Sequence, residues 1–534
     1  MRGPDSHASY SRGAHDVLMG GGVSSGISAA STETEEMRDK VRSNYRNLPR
    51  NEVQHCEDGL NSGDPMCVDP HAERPDLTET YSGACALALF VVAYLLALME
   101  DVLGHAFRKC IPVCISSGFI WVTIATQYRH TNASVAAAVR HNLLEFGEIF
   151  LFLVAAMTYV ATLEALGAFE WLRNYLMDRG YGLRAMFWIT GGLTFVLSPV
   201  ADNLTAALLM GAVAGAVGQG NERFISVSCV NIVVASNAGG VFSPFGDITT
   251  LMIWQKGKLN MVDFMELIVP ALINWLIPAF ILSYYAVADG HSASCHSGSD
   301  DGLRVPTFGG GGKPSAAVRQ AIYVVCGLFA FTISITVWFH AYLHLPPVIG
   351  MMSGLGLLQL YGYFAALASG KSTGNGKPVD DSKEKLANAL DTFKRLASIE
   401  WDTLLFFYGV ILGVGGLGAC GFLEMASRWG YGGFGPTTAN VGVGFLSAIV
   451  DNIPVVFAVL EAEPPMNRAG WLLLTLTAGV GGSMLSLGSA AGVGLMGQAR
   501  GTYTFRSHLK WSWAVAIGYA GSICAMLILH GQHM

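Results

Sequence analysis

Two pairs of a carboxylate and an amide stand inside otherwise apolar stretches of this 534-residue chain. From Ser198 to Met210 it reads Ser-Pro-Val-Ala-Asp-Asn-Leu-Thr-Ala-Ala-Leu-Leu-Met. From Ser447 to Val459 it reads Ser-Ala-Ile-Val-Asp-Asn-Ile-Pro-Val-Val-Phe-Ala-Val, so Asp202-Asn203 returns as Asp451-Asn452, 249 residues later. A charge in a hydrocarbon layer costs several kcal/mol and by default marks a functional site. It must be neutralised by a proton or by a metal ion and does not easily hold both, so these residue types suggest competition between the two ligands. Two such sites at equivalent places in two halves point to a transporter built from repeats.

Each half carries a second polar interruption. In Asn237-Ala-Gly-Gly-Val-Phe-Ser-Pro-Phe-Gly-Asp-Ile-Thr-Thr250, glycines and a proline open an apolar span halfway, presenting Asn237, Asp247, Thr249 and Thr250. Its counterpart, Gly481-Gly-Ser-Met-Leu-Ser-Leu-Gly-Ser489, presents Ser486 and Ser489; Gly240 matches Gly482, Gly246 matches Gly488, and Ser489 replaces Asp247. Unwound backbone at membrane depth is tolerated where it lines a cavity or is buried in protein. Oxygen ligands without sulfur or imidazole suit a hard cation. Taken singly, the glycines read as close helix packing and Asn237 as an interhelical hydrogen bond. The duplication, with acids at both tips, favours the ion site, in which Thr205 joins the set or caps the helix that follows Asp202.

Two further acids, Glu148 and Asp402, fall near the start of the third span of each half. They read equally as solvated span-end acids and as a proton relay toward the midplane. His105, His130 and His141 fall in loops and read as solvated. The ten cysteines include no C-x-x-C pair; Cys85, Cys110, Cys114, Cys326 and Cys524, in or beside apolar spans, read as small core residues. Cys56 and Cys67 share a polar tail and could pair in an oxidising compartment.

The elements that position these residues are membrane spans. The chain is 52% hydrophobic and only 13% charged, against about a quarter charged in soluble proteins. Its net charge of −7 is small for the length and suggests no nucleic-acid partner. Residues 1–80 are polar and read as a disordered tail. Arg2 and Arg12 in a Ser- and Gly-rich start leave room for an organelle transit peptide, against which Asp5 and Asp16 weigh. From Tyr81 on, apolar runs of about 20 residues recur, each long enough to cross the hydrocarbon core. They form two matching halves, 81–289 and 317–534, joined by a polar linker over 290–316.

The region from Leu183 to Gly218 is too long for one helix and carries its polar tip in the middle. A hairpin that dips into the membrane and returns fits it, with Pro199 and the Asx pair breaking the helix at the turn; two ordinary spans are the alternative. With hairpins, each half has five crossings, and an odd number turns the second half upside down. Lysine and arginine between spans number 18 on one side and 7 on the other, which makes the richer side cytoplasmic and places the tail and the C-terminus outside or in a lumen. Asn132-Ala-Ser134, a glycosylation sequon, falls on that outer side.

Asp202-Asn203-Leu-Thr205, Asn237-Ala-Gly-Gly, Ser243-Pro-Phe-Gly-Asp247-Ile-Thr-Thr250, Asp451-Asn452 and Gly482 through Ser489 resemble the motifs of NhaD-type sodium/proton antiporters of the ion-transporter superfamily. The resemblance runs from about Tyr81 to the end and leaves the tail unexplained. It implies an all-α polytopic membrane protein of two inverted repeats of five transmembrane helices, each with a re-entrant hairpin and a broken helix, commonly a homodimer. It implies exchange of Na⁺ or Li⁺ for H⁺ without a cofactor, in a plasma or organelle membrane. Carried onto this chain, it makes Asp202, Asn203, Asn237, Asp247, Thr249, Asp451, Asn452, Ser486 and Ser489 the ion site, with Glu148 and Asp402 as further functional acids. No additional span precedes Tyr81, and that departure leaves the tail's side of the membrane open.

Two rivals differ in chemistry. A sodium-coupled carboxylate or anion carrier of the same superfamily would need to offset an acid at each tip, and no lysine or arginine lies in the motifs. An intramembrane aspartyl protease built on Asp202 and Asp247 needs Gly-x-Gly-Asp, where this chain has Pro244-Phe-Gly-Asp247, and would not need Asp451-Asn452. No H-E-x-x-H is present for a metalloprotease.

Overall fold

The computed structural model describes residues 76–99, 107–128, 135–218, 221–286, 315–368 and 386–531. The expectations for the tail before residue 76 with Cys56 and Cys67, for His105, His130 and the sequon at Asn132, and for most of the linker lie outside them. Among the described residues no strand occurs, and eight helices are long and apolar enough to cross a membrane. The protein is an all-α, multi-pass integral membrane protein.

In the first half, α1 (Tyr81–Leu98), α2 (Cys110–Tyr128), α3 (Val135–Ala165) and α4 (Ala168–Asp178) lead to a joined pair, α5 (Leu183–Ala201) and α6 (Asn203–Val217). Next come α7 (Glu222–Gly240) and α8 (Ile248–Gln255), separated by seven non-helical residues, then α9 (Met261–Met265) and α10 (Ile268–Tyr285). The second half begins with α11 (Ala316–Leu343), α12 (Pro347–Ala368), α13 (Thr392–Ala397), α14 (Trp401–Ala419) and α15 (Phe422–Ser427). Its joined pair is α16 (Pro436–Ile449) and α17 (Asn452–Ala462), followed by α18 (Arg468–Gly481), α19 (Ala490–Gln498), α20 (Phe505–Leu509) and α21 (Ser512–His530). The order of elements thus repeats, apart from α13, which has no counterpart among the described residues of the first half. At 1.5 Å per residue, the 14 and 11 residues of α16 and α17 reach only about 21 and about 17 Å, short of the roughly 30 Å hydrocarbon core.

The halves interlock by exchange. α5 packs on α7 and α16 on α18 within each half, whereas α6 packs on α19 and α8 on α17 across them. α2 packs on α14, and α3 on α12. Cys114 Sγ, Trp121 Nε1 and Tyr128 Oη on α2 donate to the carbonyls of Leu405, Leu412 and Ala419, always 291 residues ahead, so α2 and α14 run in the same direction. α10 and α21 run in opposite directions: the Tyr285 and Trp511 rings lie 4.9 Å apart, Pro278 faces Gly518, and Glu266 and His530 pair at 3.3 Å.

Without a hydrophobic driving force between helices in lipid, small residues allow the close packing that holds spans together. On α14, a Cβ at Gly409 would lie 2.7 Å from the Val113 backbone, and one at Gly416 2.6 Å from Ile120. Large apolar side chains instead face outward, among them Phe331, Trp338 and Tyr342 on α11. Cys110 is buried as expected, but Cys326 and Cys524 are exposed on outer helix faces, where a small apolar side chain is equally at home in lipid. α3 starts at Val135, well before its most apolar stretch, because its first turns stay helical while carrying polar side chains. His141 therefore sits on a helix, not in a loop, and Glu148 lies several turns inside it.

Candidate functional site

At the first tip, α5 gives way to α6 through Asp202 alone, whose φ of 57° lies where side-chain-bearing residues are uncommon. The Asp202 carboxylate fixes the turn by capping α6: Oδ1 accepts the Thr205 N–H at 3.0 Å and Oδ2 the Thr205 hydroxyl at 2.9 Å. The stem is tied to α7, with Ser198 Oγ donating to the Ser236 carbonyl at 2.6 Å; the second pair repeats this, Ser447 Oγ donating to Ala478 at 2.7 Å.

The stretch between α7 and α8 folds back so tightly that Gly240 and Gly246 meet backbone to backbone; a Cβ on Gly240 would lie 2.9 Å from the Gly246 carbonyl oxygen. Gly482 and Gly488 repeat the contact at 2.5 Å, so the glycine match read from the sequence is a structural one. The Thr250 hydroxyl is committed to this stretch, donating to the carbonyls of Ser243 at 2.8 Å and Asp247 at 2.6 Å.

Asp247 lies at the centre, 6% exposed. Its Oδ1 caps α8, accepting the Thr249 N–H at 2.9 Å and the Thr249 hydroxyl at 3.0 Å. Its Oδ2 accepts Asn203 Nδ2 at 3.0 Å and Asn452 Nδ2 at 2.9 Å. An ionised carboxylate only accepts, so both amides present their nitrogens to it and keep their carbonyl oxygens for other partners. Asn203 Nδ2 also lies 3.3 Å from Asn237 Oδ1. Asn237 is fully buried and its Nδ2 has no hydrogen-bond partner.

The second tip differs in one residue type. Pro454 stands where the first has Thr205, with neither N–H nor hydroxyl to offer, and Asp451 forms no cap bond. Asp451 Oδ1 is buried and accepts nothing, while the Asp451 N–H donates to the Tyr94 hydroxyl of α1 at 2.8 Å. Beyond it, Ser489 caps α19 through Gly492 N at 3.3 Å, and Ser486 Oγ contacts Met496 Sδ at 3.3 Å; both serines are buried.

The structure thus joins Asn203, Asn237, Asp247, Thr249 and Asn452 in one hydrogen-bonded cluster flanked by Asp202 and Asp451. Ser486 and Ser489 line the second interruption without bonding to Asp247. Among the described residues, no hydrogen bond or ion pair links Glu148 or Asp402 to the tips, and Asp402 instead faces Arg108 at 3.8 Å. Nor does any lysine, arginine or histidine hydrogen-bond to Asp202, Asp247 or Asp451 among them. Tyr94 is absent from the sequence reading, as an isolated tyrosine in an apolar span carries no signal. Also missed is Glu145, which ion-pairs with Lys256 at the end of α8 and with His141 at 2.9 Å. The repeated acid in Glu145-Phe-Gly-Glu148 was its one trace. The basic charge that reaches the tips among the described residues is Lys109, which acts on Asp451 across space without a hydrogen bond to it.

A family model described as citrate transporter matches residues 81–479. The Na(+)/H(+) antiporter NhaD of Alkalimonas amylolytica is 46% identical over 467 residues, covering 86% of this chain and 92% of that protein. The Na(+)/H(+) antiporter NhaD of Vibrio cholerae is 45% identical over 477 residues, 88% of this chain and 96% of that protein. Sodium/proton antiporter 1 of Arabidopsis thaliana is 29% identical over 456 residues, 83% of this chain and 72% of that protein. The chain belongs to the citrate transporter family and, within it, to the NhaD-type Na⁺/H⁺ antiporters.

Proposed function

We propose that the protein exchanges Na⁺ or Li⁺ for H⁺ by alternating access, ion and proton competing for the carboxylates at the two tips. The observation that carries this reading is the convergence of Asn203 and Asn452 on buried Asp247, between Asp202 and Asp451. A buried carboxylate that loses its proton must gain another cation, so binding one ligand expels the other. Presenting the site to each side in turn makes that expulsion an antiport. Asp202, Asn203, Thr205, Asn237, Asp247, Thr249, Asp451, Asn452, Ser486 and Ser489 form the ion site; Thr250 supports its loop. Glu148 and Asp402 serve as outlying acids of the proton route.

The chain is two inverted repeats, 81–289 and 317–534, joined by the linker over 290–316, each with five crossings and a re-entrant hairpin. The parallel course of α2 and α14 supports this, since equivalent halves in the same orientation would set these two helices antiparallel. The opposed course of α10 and α21 supports it in the same way. The short arms α16 and α17 favour re-entry over crossing. The working assembly is a homodimer, on the family resemblance.

The citrate transporter model raises a second reading, Na⁺-coupled uptake of a carboxylate. Three acids at the tips, with Lys109 near Asp451 as the one base that acts on them among the described residues, weigh against an anion there. Against an aspartyl protease, Asp202 and Asp247 are each committed to the threonine of their own cap, not to one another. Proteoliposomes separate the transport readings: Na⁺-driven proton movement supports exchange, and Na⁺-driven dicarboxylate uptake supports symport.

A further inference from the structure

We propose that Tyr94 on α1 is a positioning residue for the cation site, holding the α16–α17 tip at the place from which Asn452 reaches Asp247. This rests on the reading of the tips as the exchange site. The two tips meet the same backbone problem, a chain reversing inside the membrane with N–H groups that need acceptors. The first tip is self-supporting: Asp202 takes up a positive φ and ties its carboxylate to Thr205. At the second, Pro454 removes that option, and Val450 leaves α16 in extended backbone with φ −105° and ψ 134°. The Asp451 N–H is thereby turned out of both helices, and a buried N–H without an acceptor is costly. Tyr94 supplies the acceptor at 2.8 Å.

Tyr94 is itself firmly placed. It is 8% exposed and stacks on Phe90 at 6.1 Å, and the Phe90 ring faces Gly413 of α14, where a Cβ would lie 3.1 Å away. A chain of fixed contacts therefore runs from α14 through Phe90 and Tyr94 to Asp451, and one residue on Asn452 donates to Asp247 at 2.9 Å. Among the described residues, no side chain of α11, the counterpart of α1, bonds to the first tip. Tyr94 is thus an asymmetric brace across the halves.

The test is the Na⁺ dependence of proton flux in proteoliposomes for Tyr94→Phe, Asn452→Ala, their combination and Asp451→Asn. Tyr94→Phe should raise the half-saturating Na⁺ concentration about two- to tenfold, the range of one hydrogen bond's net contribution, with the maximal rate within about twofold. The double variant should be no worse than Asn452→Ala alone, because both act through the same tip. Wild-type half-saturation in Tyr94→Phe, additive effects in the double variant, or a loss confined to folded yield and maximal rate would overturn the proposal. If Tyr94→Phe does not fold, Tyr94→His and Tyr94→Trp carry the comparison: an imidazole nitrogen can accept the N–H and an indole cannot, so the Trp variant must show the higher half-saturation. Equal or reversed values overturn the proposal. If Asp451→Asn and Asn452→Ala also keep wild-type half-saturation, the reading of the tips as the exchange site fails.

Discussion

Asn203 and Asn452, 249 residues apart, donate to the same oxygen of Asp247, at 3.0 and 2.9 Å. One carboxylate on the first interrupted span thus joins both tips, and its own capping bonds to Thr249 fill its other oxygen. In a medium where an unmet charge is costly, these four donors hold the Asp247 carboxylate in place, and its charge is left to be met by a proton or a metal ion. Both tips thus meet at the carboxylate that holds the cation, so moving a tip and binding an ion are coupled events.

Removing those donors should weaken Na⁺ binding before it stops transport. Asn203→Ala and Asn452→Ala should each raise half-saturating Na⁺ by about tenfold, the scale of a hydrogen bond to a charged group. The double variant should fall short of the product of the two, since the amides share one acceptor. Flux against Na⁺ concentration in proteoliposomes measures both.

Asp202→Asn and Asp247→Asn should abolish exchange while leaving a folded protein, because a neutral amide keeps the shape and is easier to bury than a carboxylate. Asp202→Glu should retain part of the transport with altered Na⁺ and Li⁺ affinity. Thr205→Ala should be milder, as the Thr205 N–H bond to Asp202 survives and only the hydroxyl bond is lost. The checks are Na⁺- and Li⁺-driven proton flux, with size-exclusion behaviour as the control for folding.

Where the interruption packs against a hairpin, glycine is a steric requirement. A Cβ at Gly488 would lie 2.5 Å from the Ala448 carbonyl oxygen, whereas at Gly497 nothing lies within 4 Å. Gly488→Ala should therefore cost more than about 1 kcal/mol, the lower end for overpacking, and lower the melting temperature and the transport rate together. Gly497→Ala should leave both unchanged.

Much of this site could be read from the chain because its chemistry breaks a strong pattern: an acid beside an amide in an apolar run is conspicuous, and its recurrence at Asp451 marks the repeat. Glycine pairs at 240/246 and 482/488 were legible for the same reason, being repeated at fixed spacing. Tyr94 was not, because its part depends on which backbone N–H the folded chain leaves open beside it. The meeting of Asn203 and Asn452 on Asp247 depends on how α8 lies against α17, which no local pattern encodes. Glu148 and Asp402 matched in sequence, yet the structure surrounds them differently: Asp402 faces Arg108, and Glu148 lies along α3 beyond Glu145 and its partner Lys256.

Topology has a direct check. In a cysteine-free background, Glu222→Cys beside the end of α6 should react with an impermeant thiol reagent from the cytoplasm, and Pro465→Cys beyond α17 from the opposite side. Both positions are exposed. Reaction of both from one side would rule out the inverted repeat.

Competition between Na⁺ and H⁺ is the core of the account, and the half-saturating Na⁺ concentration measured across pH in proteoliposomes tests it most directly. Raising pH removes the competing proton, so half-saturation should fall with rising pH, by up to about tenfold per unit for a single proton, while the rate at saturating Na⁺ stays level. Half-saturation that holds constant across pH while the saturating rate changes would contradict competition and assign the carboxylates a purely structural part.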